Sequence, residues 1–146
     1  MVRKIAVSLS AIALVVLTAP TASAAPPSRA TCSPNDNYVK ACLDPYNDQV
    51  WVYDAEPDGA SAAMRWTTAA GGGPGWCVKS NGAGTWKVCD YDFVERYTAG
   101  DRTCPNVLYW GNWTIDRSRT PDDYDYISGT YSAYIEYPAR NCTIRV

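Results

Sequence analysis

Gln49-Val50-Trp51-Val52-Tyr53-Asp54, then Ala55-Glu56-Pro57-Asp58-Gly59-Ala60, then Ser61-Ala62-Ala63-Met64-Arg65-Trp66-Thr67 is the stretch that decides the fold class. Val50 to Tyr53 are all β-branched or aromatic, residue types that fit a pleated, half-buried surface. Pro57-Asp58-Gly59 is a turn with a mechanism. Proline presets φ, aspartate bonds its own backbone, and glycine accepts positive φ. Beyond it, Ala62, Met64 and Trp66 alternate with Ser61, Ala63, Arg65 and Thr67, the period of a strand with one face buried. The expectation is a β-hairpin or a pair of neighbouring strands.

Segments of the same style recur along the chain. Expected strands cover 37–43, 49–54, 61–67, 76–80, 85–90, 107–115, 130–137 and 142–146. Turn compositions separate them: Asp44-Pro45-Tyr46-Asn47-Asp48, Gly71-Gly72-Gly73-Pro74-Gly75, Asn81-Gly82, Pro121-Asp122-Asp123 and Pro138-Ala139-Arg140-Asn141. Turns spaced in this way belong to an antiparallel sandwich or barrel. No stretch combines a helix cap with a 3.6-residue apolar period, and no internal repeat points to a solenoid or propeller. The expected fold is all-β, a single antiparallel sandwich or barrel-like domain.

The first 24 residues read as a secretory signal peptide. Arg3 and Lys4 precede an uncharged apolar run from Ile5 to Leu17, and Ala22-Ser23-Ala24 is a small-x-small cleavage pattern. The apolar run is too short to span a bilayer, so no membrane anchor is expected after cleavage. Residues 25–31, with Pro26-Pro27, read as an extended lead-in to a β domain over 32–146. All six cysteines fall in that domain, at Cys32, Cys42, Cys77, Cys89, Cys104 and Cys142. An even number in a small exported domain reads as three disulfides. Neighbour pairing, Cys32–Cys42, Cys77–Cys89 and Cys104–Cys142, is the expected connectivity. Only the middle bond has a local argument, because a hairpin through Asn81-Gly82-Ala83-Gly84 sets its cysteines opposite each other. Such cross-links matter here because the aliphatic core is thin. After Ala24 there are two leucines, four isoleucines and eight valines, against six tryptophans and eleven tyrosines. Many aromatics must therefore be core.

Absences bound the chemistry. With no histidine there is no Ser-His-Asp triad, no Cys-His pair and no imidazole metal ligand. No Cys-x-x-Cys pair suggests zinc, and no glycine-rich loop leads into a helix to cradle phosphate. No cofactor is expected. The net charge of −2 turns more negative once Arg3 and Lys4 are removed, which argues against nucleic acid or an anionic membrane as partner. Carboxylates cluster at Asp54/Glu56/Asp58, Asp90/Asp92/Glu95 and Asp122/Asp123/Asp125. A carboxylate-dependent glycoside hydrolase is thus one alternative, although aspartates also cap turns. Asp54-x-Glu56-x-Asp58-Gly59 copies the opening of a calcium-binding loop, but Pro57 and Arg65 occupy positions where that loop needs other residues. Asn112-Trp113-Thr114 and Asn141-Cys142-Thr143 match the glycosylation sequon, by chance on this reading.

Binding through aromatic side chains is the leading functional expectation. Strand phase puts Trp51 and Tyr53 on one face of 49–54, Tyr134 on the polar side of 130–137, and Trp110 opposite Val107, Tyr109 and Trp113 and next to Asn112. Trp51, Tyr53, Trp110 and Tyr134 are therefore the candidate platform for an extracellular polysaccharide or protein ligand. A protease inhibitor is a further alternative, with Arg102-Thr103-Cys104-Pro105 as its rigid segment.

The runs Val39-Lys40-Ala41-Cys42, Gln49 to Asp54 and Asp58-Gly59-Ala60-Ser61-Ala62, with the leader, resemble small secreted, cysteine-rich bacterial proteins of unknown function. That resemblance implies export and a compact β domain, and it carries over no catalytic or binding residue. The protein is thus expected to be a secreted, extracellular, non-catalytic binding module.

Overall fold

The structure is a computed structural model that describes residues 24–34, 37–71, 73–80, 82–135 and 142–144. The expected leader (but for Ala24), Asn81, the whole of the last expected turn, 138–141, with Asn141 of the second sequon, and the ends of the last two expected strands, 136–137 and 145–146, lie outside those residues. Eleven strands and no helix are described: β1 Thr31–Cys32, β2 Val39–Asp44, β3 Gln49–Asp54, β4 Ser61–Thr68, β5 Gly75–Lys79, β6 Trp86–Asp90, β7 Arg96–Ala99, β8 Arg102–Pro105, β9 Val107–Asp116, β10 Asp123–Tyr134 and β11 Thr143–Ile144. They form a first sheet β1-β2-β3-β6, a second sheet β10-β9-β4-β5 and a small third sheet β11-β8-β7, antiparallel throughout. The chain is an all-β protein, and the first two sheets pack face to face as a sandwich.

β3 and β4, expected as a hairpin or a pair of neighbouring strands, lie in different sheets. β3 lies between β2 and β6 in the first sheet, while β4 lies between β9 and β5 in the second. Each strand has one apolar face, and stacking the two buries both faces at once. Residues 55–60 carry the chain across the roughly 10 Å between layers. Asp54 Oδ1 accepts from Glu56 N at 3.3 Å, Asp58 Oδ1 accepts from Ala60 N at 2.8 Å, and Gly59 has φ 84°. Asp54 and Asp58 of the calcium-like motif thus cap the crossover turn.

The interior follows the period of two. Val39, Ala41, Leu43, Val50 and Val52 from the first sheet meet Ala62, Met64, Trp66, Cys77, Leu108 and Trp110 from the second, with Ile135 closing one end. Trp66 and Trp110 are register partners across β4 and β9, and Tyr91, Phe93 and Tyr131 pack on them. The Trp66 indole lies against Gly75, its partner on β5, so that a Cβ there would overlap the ring. Asn112 is the polar exception. It is fully buried, and its Nδ2 lies 3.1 Å from Ser33 Oγ, Val39 O and Ser128 Oγ, tying the two sheets together. A side chain seated there cannot accept a glycan.

All three disulfides pair neighbours in sequence, as expected. Cys32 and Cys42 are directly opposed on β1 and β2. Cys104–Cys142 closes the short ladder of β8 and β11. Cys77–Cys89 differs from its expected setting. β5 and β6 are edge strands of different sheets, so this bond clips the two layers together across the core rather than closing a hairpin.

β7 and β8 were not expected as strands. A two-residue loop, Gly100-Asp101 with Gly100 at φ 63°, joins them, the connection typical of a tight hairpin. Asn106, almost fully buried, latches this third sheet to the sandwich. Its Nδ2 donates to Val94 O at 2.7 Å, its N to Glu95 O at 2.6 Å, and its Oδ1 accepts from Ala70 N at 2.9 Å. β10 begins at Asp123, seven residues before the expected start. Two bulges, between Tyr126 and Ser128 and between Ser128 and Tyr131, let the strand run through Gly129.

Gly75→Ala is expected to lower stability by about 3 kcal/mol, because the methyl must displace the core indole. Replacing Cys77 and Cys89 together by alanine should cost about 2–4 kcal/mol. Chemical denaturation of each variant beside the parent checks both, and an unchanged midpoint for either would contradict this packing.

Candidate functional site

Three cross-strand rows occupy the middle of the outward face of the second sheet: Val78-Ala63-Trp113-Tyr126, then Trp76-Arg65-Gly111, then Thr67-Tyr109-Ser132. Ala63 and Gly111 are the small members, and large rings lean over them. A Cβ on Gly111 would come 2.8 Å from Tyr126 Cε2 and 3.3 Å from Trp113 Nε1. Trp113 meets Tyr126 at 5.2 Å and Trp76 at 5.7 Å between centroids, and Trp76 reaches Tyr124 of the opposite edge strand at 5.7 Å. Interplanar angles of 57–66° make this an edge-to-face cluster rather than a flat platform. The Arg65 guanidinium stands 5.5 Å from the Trp76 ring and 5.7 Å from the Trp113 ring, within cation–π range of both. A depression of about 190 Å³ opens beside it, lined by Arg65, Thr67, Tyr109, Gly111, Trp113 and Tyr126. Tyr109, Tyr124 and Tyr126 remain 40%, 50% and 52% exposed, so the cluster faces solvent.

The four residues expected to form a platform fall in three places. Trp110 is a core residue, 1% exposed. Its strand phase is as expected, but the inward face is the other one: Asn112, read as a marker of the wet side, is itself buried. Trp51 lies on the outer face of the first sheet between Cys42 and Val88, only 8% exposed, with its indole N–H buried and unpartnered. Tyr53 shares that face, half-buried against Trp86 at 5.1 Å. Tyr134 is exposed on the outer face of the second sheet, at the far end of β10. The sequence reading missed Arg65, Trp76, Trp113, Tyr124 and Tyr126. A usable signal was there: once Trp66 is placed inside, Arg65 must point out, and its partners Trp76 and Gly111 with it.

Arg102–Pro105, the inhibitor candidate, is the middle strand of the third sheet. Both its backbone edges are paired, and Cys104 and Pro105 are buried. It presents no free loop to a protease.

Carboxylates gather elsewhere. Asp58, Asp116 and Asp125 line a second depression with Thr114 and Ser118. Hydrogen bonds from the Ser118 hydroxyl and backbone N–H to Asp116 hold its carboxyl below the ordinary range. The raised groups lie outside this depression. Burial pushes Asp54 up, and burial followed by the nearby Glu95 and Asp92 charges pushes Asp48 up. Burial also raises the Tyr91 hydroxyl, which donates to Trp76 O at 2.8 Å. Among the described residues no group of three or more acidic or cysteine side chains is placed to hold a metal ion, and no helix is long and apolar enough to cross a membrane. No family model, curated protein or solved structure matches the chain.

Asp48 also sits at φ 54°, a conformation asparagine tolerates well. Its folded carboxyl takes up a proton at higher pH than the unfolded one, whose ordinary value is 3.8. Ionisation therefore destabilises the fold increasingly as pH rises from about 3.8 through the raised value. Asp48→Asn is expected to raise the Tm at pH 7 and to leave it nearly unchanged at pH 3. A gain of equal size at both pH values would show that charge is not the cause.

Proposed function

We propose that this protein is an exported, non-catalytic binding module that docks a glycan or cell-envelope polymer on the outer face of the second sheet. One observation carries the reading: Trp76, Trp113, Tyr124 and Tyr126 gather around Arg65 on a face that the rest of the described chain leaves uncovered. Aromatic faces and edges contact the C–H surfaces of sugar rings, while the hydroxyls of Thr67, Tyr109 and Tyr126 are at hand for polar contacts. Disulfides are stable in oxidising compartments, which supports export.

A glycosidase reading would use the depression at Asp58, Asp116 and Asp125. Glycoside hydrolysis needs one protonated carboxyl and one ionised one, and the lowered Asp116 would fill only the second role.

Pull-down on insoluble cellulose, chitin, xylan and peptidoglycan is the test. The parent protein should be retained on at least one. Trp113→Ala and Tyr126→Ala should each weaken retention about tenfold, equivalent to about 1.4 kcal/mol, with thermal melting confirming that each variant is folded. Retention unaffected by both substitutions would remove this face from the function.

A further inference from the structure

Resting on that reading, we infer that the polymer recognised at this face is anionic, and that a carboxylate or phosphate oxyanion on it docks on Arg65. Two other arginines are paired with carboxylates. Arg29 makes a two-pronged contact with Asp44, Nε to Oδ1 at 2.9 Å and Nη2 to Oδ2 at 2.8 Å. Arg119 pairs with Asp116 and Asp123. Arg65 has no such partner among the described residues. Its Nε is buried without an acceptor, and two indoles flank the guanidinium.

The surroundings sharpen the point. Of the outward residues on β4, β5 and β9, namely Ser61, Ala63, Arg65, Thr67, Trp76, Val78, Val107, Tyr109, Gly111, Trp113 and Ile115, only Arg65 carries a charge. A cation–π contact steadies a guanidinium but offers its N–H groups no acceptor, and a buried donor without an acceptor is costly. The guanidinium also borders the depression beside Gly111. An oxyanion entering there meets a planar fork of donors already held in position, the geometry that carboxylate and phosphate match best. The aromatic rings then take the sugar to which the oxyanion is attached. This makes Arg65 the selector of ligand charge within a surface that otherwise recognises sugar.

Affinity electrophoresis in gels containing a neutral polymer (hydroxyethylcellulose), a carboxylated one (polygalacturonate) or a phosphorylated one (phosphorylated cellulose) tests this. The parent protein should be retarded about tenfold more strongly by at least one anionic gel than by the neutral one. The stronger of the two anionic arms identifies carboxylate or phosphate as the source. Arg65→Met should reduce anionic retardation to the neutral level. Arg65→Lys, which keeps the charge and loses the fork, should lose most of the preference while remaining folded by thermal melting. Equal retardation by neutral and anionic gels, or a preference that survives Arg65→Met, overturns the inference and leaves the binding module standing. Retardation by none of the three, with no retention on the insoluble polymers, overturns both.

Discussion

Two indoles determine where everything else can go. Trp66 and Trp110 face each other across the β4–β9 ladder and fill the space between the sheets that two leucines and a few valines cannot. Strand geometry allows no independent choice for their neighbours. With Trp66 and Trp110 inside, Arg65, Thr67, Tyr109 and Gly111 must point outward, and Trp113 two residues beyond Gly111 follows them. The aromatic face around Arg65 is therefore the reverse side of the core. Shifting either strand by one residue would invert both at once.

The same geometry explains which features were legible in the sequence and which were not. The 49–68 strands were readable because β-branched and aromatic residues sit on a clean alternation bounded by Pro57-Asp58-Gly59. What local sequence could not say was that this turn crosses between layers. A six-residue connection suits a loose hairpin or a crossover equally, and only the claims of β2 and β6 on β3 decide it. The disulfide pairing was legible for a related reason, yet Cys77–Cys89 turned out to join layers. The short hairpin of β7 and β8 escaped notice because Arg96-Tyr97-Thr98-Ala99 and Arg102-Thr103-Cys104-Pro105 are only four residues each and carry few large apolar side chains. Asn106 holds them, through hydrogen bonds to residues far away in sequence.

The platform is the instructive case. Phase was recovered correctly in β3, in the end of β10 and in β9, but phase sorts residues into two sets without saying which set is inside. In β9 both sets are aromatic, and Asn112 beside Trp110 served as the polar marker. Asn112 can be buried because the backbone carbonyl of Val39 and the hydroxyls of Ser33 and Ser128 accept from its Nδ2. A buried amide with enough partners ties two sheets as firmly as it would bind water, and it reverses the rule of thumb that polar means outside.

A chain this short of aliphatic side chains would be expected to draw every large ring inward. This one leaves Tyr109, Tyr124, Tyr126 and Tyr134 substantially exposed, and keeps Trp76 and Trp113 only half-buried. The Cys77–Cys89 link between layers, with Cys32–Cys42 and Cys104–Cys142 at the margins, supplies stability that does not depend on burying more surface. Cross-linking and the aromatic face are thus linked features. Because covalent bonds hold the sheets together, rings that a larger core would have absorbed can remain at the surface around Arg65. An aromatic patch kept outside a core that could have used it is the feature on which the proposed binding role rests.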